Sequence, residues 1–332
     1  MSIRLRRREF IAALGGAAAA WPLAVRAQKK MPVIGYFSAR LPSTDVPMLA
    51  AFRQGLNNAG YVEGKNVAIE FRWGEGRYDR LPALAADLVA RNVAIIVTSG
   101  GDATALAAKA ATSTVPIVFN AAGDPIETGL VRSLARPGGN LTGVSSILST
   151  LMPKQLGLLS DLVPKAAVIG ALVNPESLGK MIASRIADIQ RAGRSIRRQV
   201  LILSASTDAD IDMAFESFVQ QRAEALLVTS SPFFVTRTDK LVALASRHAL
   251  PTMYFRRELV DAGGLISYAS STFEMYNQMG VYVGRILNGE NPGDLPVWQP
   301  TRFELVINLK TAKTLGLIIP PGVLAIADEV IE

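Results

Sequence analysis

Short apolar runs alternate with amphipathic stretches along most of this chain. The first apolar runs are residues 33–37, 67–71, 94–98 and 116–119. Between them, three segments repeat leucine or other apolar residues every three or four positions, which is the α-helical period: residues 46–59, 80–90 and 103–112. Strands that alternate with helices predict parallel sheets, and mostly uninterrupted apolar strands predict sheets covered on both faces. We therefore predict an α/β fold.

This succession of strands and helices begins again near the middle of the chain. Three landmarks recur in the same order: residues 33–35 as 168–170, residues 96–99 as 227–230, and residues 115–117 as 250–252. The recurrence predicts two lobes of like architecture. A chance likeness between short apolar strands is the alternative.

The boundaries of the lobes follow from the breaks in the pattern. The Pro- and Gly-rich segment 136–143 marks a crossover between the halves. We predict a first lobe formed by residues 31–140 and 272–332 and a second lobe formed by residues 141–271, with the late strand 303–307 returning to the first lobe. This wiring carries the chain between the lobes several times, which predicts a clamshell with a multi-strand hinge.

The N-terminus carries the features of an export signal. Arg7-Arg8 precedes Phe10 and an uncharged run of small and apolar residues, and Ala27 ends the segment. This pattern predicts a twin-arginine signal peptide over residues 1–27, cleaved after Ala27, and hence a periplasmic protein. The run is too short and too rich in glycine and alanine to span a bilayer. A frayed basic helix is the alternative.

Composition narrows the classes of function. The net charge of +7 is largely due to arginines of the predicted signal, so it gives no indication of nucleic-acid binding. The chain has no cysteine and a single histidine, His248, which excludes disulfides, thiol catalysis and clustered histidine metal sites. We find neither a dinucleotide-binding glycine motif nor a serine nucleophile elbow. We predict a monomer that is not an enzyme and has no metal or cofactor.

Ligands of open parallel sheets bind beyond the carboxyl ends of the strands. The residues at those positions are polar, small or aromatic, which predicts a cleft for a small polar solute. The candidate residues are Ser38, Arg40, Ser99, Gly100, Asp102, Ala103, Asn120, Asp124, Asn174, Ser230, Phe233, Phe234, Tyr254 and Tyr268.

The segment Ser99-Gly100-Gly101-Asp102 is the leading candidate among these. The two glycines allow a ligand to approach the backbone closely, and the N-terminus of the following helix suits a carboxylate. We expect the Ser99 hydroxyl and the amides near Ala103 to bind an acid group, and Asp124 to accept an ammonium group. Asp102 as a helix cap and Asp124 as an Asx turn are the alternatives.

Aromatic residues beyond the strands of the second half offer stacking surfaces. We expect Phe233 or Phe234 to face the cleft, with closure of the lobe's core as the alternative. Tyr254 and Tyr268 leave the same two interpretations open. Arg40 can pair with a second carboxylate of the solute, or it can be a solvated arginine.

Several motifs together resemble one protein family, the TrpX-like group of ABC transporter substrate-binding proteins. The resemblance covers nearly the whole chain and rests on MPVIGYFS from Met31, AFRQGL from Ala51, GYVEGKNV from Gly60, PIVF from Pro116, RPGGNLTGV from Arg136 and FELVIN from Phe303. It implies a type I periplasmic-binding-protein fold with two Rossmann-like lobes, three hinge strands and a ligand in the cleft. It also implies a membrane permease as partner, and characterised relatives bind aromatic amino acids.

We therefore predict the extracytoplasmic solute-binding component of an ABC uptake transporter, with an amino-acid-like solute in the cleft, for which an aromatic amino acid is one option. A periplasmic sensor that reports to a signalling partner, or an enzyme on the same fold, are the alternatives. Sugar-responsive repressors share the two-lobed architecture but add an N-terminal DNA-binding domain, where this chain carries the predicted export signal.

Overall fold

The computed structural model describes residues 31–146 and 148–332. The predicted signal peptide and its cleavage site lie outside the described residues. Within these residues, no helix combines the length and the apolar character that crossing a bilayer requires.

The first lobe is built on a parallel sheet. Its strands, in the spatial order β2-β1-β3-β4-β5, are β1 (Val33–Ser38), β2 (Ala68–Trp73), β3 (Ile95–Ser99), β4 (Ile117–Ala121) and β5 (Leu141–Ser145). Its first helices are α1 (Val46–Asn58), α2 (Leu81–Ala90) and α3 (Asp102–Ala111). Neighbouring residues of β1 alternate between the two faces: Tyr36 belongs to one apolar cluster and Phe37 to the other. Both faces are covered, as the uninterrupted apolar strands predict.

The second lobe is built on a larger sheet with the spatial order β12-β11-β10-β9-β8-β6-β7. The strands are β6 (Val168–Val173), β7 (Gln199–Ser204), β8 (Ala225–Val228), β9 (Thr252–Tyr254), β10 (Ile266–Ser270), β11 (Phe303–Asn308) and β12 (Glu329–Ile331). Its helices are α4 (Leu148–Leu162), α5 (Pro175–Leu178), α6 (Ile182–Ser195), α7 (Asp208–Gln220), α8 (Pro232–Val235), α9 (Thr238–Arg247) and α10 (Arg257–Asp261). The remaining helices are α11 (Thr272–Leu287), α12 (Leu309–Thr314) and α13 (Pro321–Leu324).

The two sheets repeat one another. The order β2-β1-β3-β4-β5 in the first corresponds to β7-β6-β8-β9-β10 in the second. The prediction of two α/β halves with parallel sheets is confirmed. The strands β1 and β6, which contain the first pair of recurring landmarks, occupy equivalent positions in the two sheets.

Two parts of the predicted lobe boundaries are wrong. Residues 141–145 form β5, which pairs with β4 in the first sheet, although we assigned them to the second lobe. Residues 303–331 belong to the second lobe, although we assigned them to the first: β11 pairs antiparallel with β10, β12 pairs with β11, and the segment between them packs on the second core. The reason is apolar burial: Leu305 and Ile307 pack into the core of the second lobe.

The segment that does return to the first lobe is α11 together with the strand-like stretch near Trp298. Helix α11 packs closely along α1, and Trp298 forms a bridge with Val144 at the edge of the first sheet. The described chain therefore crosses between the sheets after β5, between β10 and α11, and between Trp298 and β11. These crossings form a hinge at the base of the cleft.

Candidate functional site

A cavity of ≈ 680 Å³ lies between the two lobes. The first lobe lines it with Arg40, Gly100, Gly101, Asp102, Asn120, Ala122 and Ser146. The second lobe and the hinge line it with Ser177, Leu178, Ser230, Ser231, Pro232, Val235, Phe255, Arg256, Ala269, Ser270, Thr272, Met275 and Tyr276. Many of these residues follow strands directly, as expected for parallel sheets.

Arg40 is held at the cavity wall by a buried hydrogen-bond network. Its Nη1 donates to Asp45 Oδ1 at 2.8 Å and to the Tyr276 hydroxyl at 3.0 Å. Burial lowers the pKa of Arg40, but Tyr276 and Asp45 raise the pKa by more, so the guanidinium stays protonated. Its Nε is buried without a hydrogen-bond partner. Arg40 is therefore a fixed cation rather than the solvated side chain of the alternative.

Ser99 and Ser38 support this network from behind the wall. The Ser99 hydroxyl lies 2.7 Å from the Tyr276 hydroxyl and 3.1 Å from Asp45 Oδ2, and the residue is fully buried. The Ser38 hydroxyl, equally buried, accepts a hydrogen bond from the Arg40 backbone amide. Neither side chain lines the cavity. The hypothesis that Ser99 binds an acid group directly does not agree with this geometry, because protein groups already occupy its hydroxyl.

The two glycines after β3 line the cavity. Gly100 and Gly101 have φ values of 95° and 90°, which side chains with a Cβ rarely adopt. They turn the chain into α3, so that Asp102 points across the turn rather than along the helix.

Asp102 does not cap α3, although that was one of the two interpretations. Its Oδ1 accepts from the Ala122 amide at 3.1 Å and its Oδ2 from the Gly123 amide at 3.1 Å, which ties α3 to the loop after β4. Burial raises the pKa of Asp102, and the two amides and the charge of Arg185 partly offset that rise. The carboxylate stands at the cavity wall, with lone pairs left over.

Two uncharged polar side chains at the cavity wall are free to meet a solute. Asn120, which is 7% exposed, has no side-chain hydrogen bond to any other described residue. Ser230, two residues after β8 in the opposite lobe, likewise has none within the described part of the chain. Both lobes therefore present unused hydrogen-bonding groups to the same space.

The second lobe contributes an ion pair next to the hinge. Arg256 donates to both carboxylate oxygens of Glu258, at 3.1 and 2.9 Å, and to the Thr272 hydroxyl at 3.0 Å. Burial raises the pKa of Glu258, but Arg256 lowers it by more, so the pKa lies below its usual value. Thr272 begins α11, so this contact connects the second lobe to the hinge.

A second chamber of ≈ 490 Å³ adjoins the first. The two share Asp102, Ala122, Leu178, Ser230 and Phe255. The residues that line only the second chamber are Gly123, Met152, Gln155, Arg185, Leu227 and Thr229. Its walls are largely apolar, with a single arginine among them.

The predicted aromatic residues lie in the core instead of the cleft. Phe233 and Phe234 are 3% and 0% exposed and pack in the core of the second lobe, as does Tyr254. Tyr268 packs against the other face of that sheet and against the ring of Phe303. The expectation that Phe233 or Phe234 faces the cleft is wrong, because the short helix α8 turns both rings inward.

Three further candidates have local structural roles. Asp124 forms an Asx turn by accepting from the Ile126 amide at 2.7 Å. Asn174 caps α5 by accepting from the Ser177 amide and donates to the Ala205 carbonyl. Ala103 packs toward the core of the first lobe. None of the three lines the chambers, and the Asp124 geometry matches the Asx-turn alternative.

The lobes are in contact across the cleft. The Tyr78 ring, in the first lobe, packs against apolar clusters of both lobes. Its hydroxyl lies 3.5 Å from the Ser231 hydroxyl of the second lobe. Among residues 31–146 and 148–332, no cluster of three or more His, Cys, Asp or Glu side chains is arranged to hold a metal ion.

Comparison with known proteins places this geometry in a family. A curated tyrosine-binding protein of Clostridioides difficile (strain R20291) is 27% identical over 266 residues, which cover 80% of this chain and 75% of that protein. A conserved domain protein of Vibrio cholerae superposes with a TM-score of 0.84 at 25% identity, over 91% of this chain and 100% of that chain.

An ABC domain from Streptococcus pneumonia, crystallised in complex with L-Trp, superposes with a TM-score of 0.81 at 25% identity, over 90% of this chain and 99% of that chain. The family of ABC transporter substrate binding proteins matches residues 44–331. That match spans both lobes and the hinge, and the chain belongs to the ABC transporter substrate binding protein family.

Proposed function

We propose that this chain is the solute-binding component of an ABC uptake transporter and that it binds an amino-acid-like solute between its lobes. The observation that carries the proposal is the cavity of ≈ 680 Å³, to which both lobes present hydrogen-bonding groups without protein partners. The named ligands of two relatives, tyrosine and L-Trp, support an amino acid as the solute class.

The mechanism is closure of the lobes around the solute. Asn120 and Arg40 lie in one lobe and Ser230 and Arg256 in the other, so a solute that contacts both groups stabilises only the closed form. A ligand shifts a conformational equilibrium by its differential affinity for the two states. The permease then recognises the closed protein and receives the solute. No step changes a covalent bond, and the proposed protein is not an enzyme.

The site of action is the periplasm, reached through the twin-arginine pathway with cleavage after Ala27. Arg7 and Arg8 carry this part of the proposal. Replacing both with lysine is expected to retain the precursor in the cytoplasm, as measured by fractionation. An unchanged periplasmic yield contradicts the assignment.

Thermal unfolding with and without candidate solutes tests the binding function. The panel comprises the twenty L-amino acids together with sugars, polyamines and dicarboxylates. A solute at about 100 times its dissociation constant adds about 2.7 kcal/mol to the free energy of unfolding. Asn120→Ala is expected to lower the affinity for that solute. Asn288→Ala, at an exposed position of the first lobe, is the matched control and is expected to leave the affinity unchanged. Failure of every solute class to stabilise the protein overturns the proposal.

A further inference from the structure

Arg185 is a cation on the apolar side of a helix. It lies three residues after Ile182 and four before Ile189 on α6, and its side chain is 12% exposed. Its Nη1 is buried and makes no hydrogen bond. The nearest carboxylate oxygen, on Asp188, is 3.9 Å away, and Asp188 already accepts from Arg191 at 2.9 Å. A buried guanidinium nitrogen without an acceptor is costly unless a ligand supplies one.

The other charged groups at the cavity wall have their counter-ions in the protein. Arg40 pairs with Asp45, and Arg256 pairs with Glu258. Asp102 accepts only backbone amides. Arg185 and Asp102 are therefore the cation and the anion at the cavity wall that form no close ion pair.

These two groups face the same space from opposite lobes. Both line the second chamber. The position of a Cβ on Gly123 would be 3.0 Å from Asp102 Oδ2 and 3.6 Å from Arg185 Nη2, so both groups lie against this glycine. They nevertheless form no salt bridge with each other. The gap between them suits a group that carries both charges.

We propose that Arg185 and Asp102 form a receptor for the zwitterionic head of an α-amino acid, with Arg185 binding the carboxylate and Asp102 the ammonium group. The inference rests on the proposed solute-binding function and narrows the solute to amino acids with both α-groups free. The side chain of the solute then extends past Phe255 and Leu178, which line both chambers, into the larger cavity beside Met275.

This arrangement makes the head group a bridge between lobes. Asp102 begins α3 of the first lobe and Arg185 lies on α6 of the second, so the head group contacts both only when the lobes are closed. A solute that lacks either the carboxylate or the ammonium group keeps its contact with one lobe and loses its contact with the other. Recognition of the amino acid and closure are therefore the same event.

Calorimetric titration of the purified protein tests the pairing. The twenty L-amino acids are titrated first, and the tightest binder is then compared with its α-amide, which lacks the carboxylate, and its α-hydroxy acid, which lacks the ammonium group. Arg185→Gln is expected to lower the affinity for the amino acid by about 10- to 100-fold and the affinity for the α-amide by much less. Asp102→Asn is expected to lower the affinity for the amino acid more than the affinity for the α-hydroxy acid.

Arg194→Gln is the matched control, because it removes the same charge from the same helix at an exposed side chain that does not contact Asp188. Gly123→Ala is a second test that changes no charge. The added Cβ would fill the space between Asp102 and Arg185 and is expected to lower the affinity for the amino acid. Unfolding without solute shows which variants fold.

Wild-type affinity for the amino acid in folded Arg185→Gln overturns the inference. The inference is also overturned if no amino acid binds but a sugar or another solute binds equally well to the wild-type protein and to Arg185→Gln. In that case the solute-binding function stands. If no solute of any class binds, the proposed function fails as well.

Discussion

Asp45 carries a charge that is completely enclosed by protein. It accepts from the Tyr36 hydroxyl at 3.0 Å, from Arg40 and from the Ser99 hydroxyl. Burying such a pair costs desolvation energy, and the pair remains stable only while each charge keeps its partner. The network fixes Arg40 at the cavity wall and joins it to Tyr276 of α11, beside the hinge.

Replacing Asp45 with asparagine is expected to lower the free energy of unfolding by about 3–5 kcal/mol, because Arg40 would stay buried with no counter-ion. Urea unfolding measures the loss. Asp79→Asn is the control: Asp79 pairs with Arg77 at the surface, where both side chains are well exposed, and its loss is expected to have little effect on the free energy of unfolding. Equal effects of the two substitutions would contradict the argument.

Glu258 gives stability that depends on pH. Its folded pKa is depressed, so its contribution is complete above the unfolded pKa of about 4.3 and disappears as the pH falls through the folded pKa. The difference in stability between the protein and Glu258→Gln is therefore expected to be large at pH 7 and to shrink below about pH 4.3. Urea unfolding from pH 3 to 7 measures it. The exposed Glu274→Gln is the control variant, and its effect on stability at pH 7 is expected to be small.

Single residues differ in how much of their role the sequence reveals. Gly100 and Asp102 could be predicted because they directly follow a strand, where the sheet itself determines what lies at its edge. Tyr276 and Arg185 could not, since both lie within amphipathic helices and resemble core positions. The sequence does show one unusual feature at Arg185: a charged residue lies between Ile182 and Ile189 on the apolar face of the helix. Phe233 and Phe234 had no such signal, because the rotation of the short helix α8 decides where they point.

Helices α1 and α11 are in backbone contact through glycines. A Cβ on Gly55 would lie within 2 Å of the Asn277 carbonyl oxygen, and one on Gly280 would collide with the Phe52 carbonyl. The helices therefore pack closer than side chains allow. This contact attaches the helix that follows the second crossing to the first lobe, and so sets the position of Tyr276 at the cavity.

Gly55→Ala is expected to destabilise the protein by at least about 1–3 kcal/mol, the usual cost of overpacking. Gly157→Ala is the matched control in α4, where an added Cβ meets nothing within 4 Å. There the alanine is expected to stabilise the protein by about 0.5–1 kcal/mol, because it lowers the entropic cost of the helix. Thermal unfolding measures both, and the same sign for the two substitutions would contradict the close packing.

Element positions could be predicted better than element partners. The apolar run 94–98 anticipates β3 (Ile95–Ser99), and the run 116–119 anticipates β4, since local periodicity determines where a strand forms. The partner of β11 depends on the path of the chain after α11. An apolar strand fits the edge of either sheet, and burial of Leu305 and Ile307 in the second core decides between them.

For the whole molecule, the contact between lobes sets how readily the cleft closes. Tyr78 bridges them: its ring lies against apolar residues of both, and its hydroxyl approaches Ser231. An apolar contact of this kind stabilises the closed form without any solute. The apparent affinity for a solute is the intrinsic affinity reduced by the fraction of closed protein.

Tyr78→Ala is therefore expected to favour the open form and to weaken solute binding by about tenfold, equivalent to about 1.4 kcal/mol. Small-angle X-ray scattering without solute should give a larger radius of gyration, and titration should give the weaker affinity. Tyr61→Ala is the control, because Tyr61 is also half-buried but packs only on the first lobe and bonds to Asn288. A Tyr78 variant that scatters like the parent but binds weakly would assign Tyr78 to the solute contact instead of to closure.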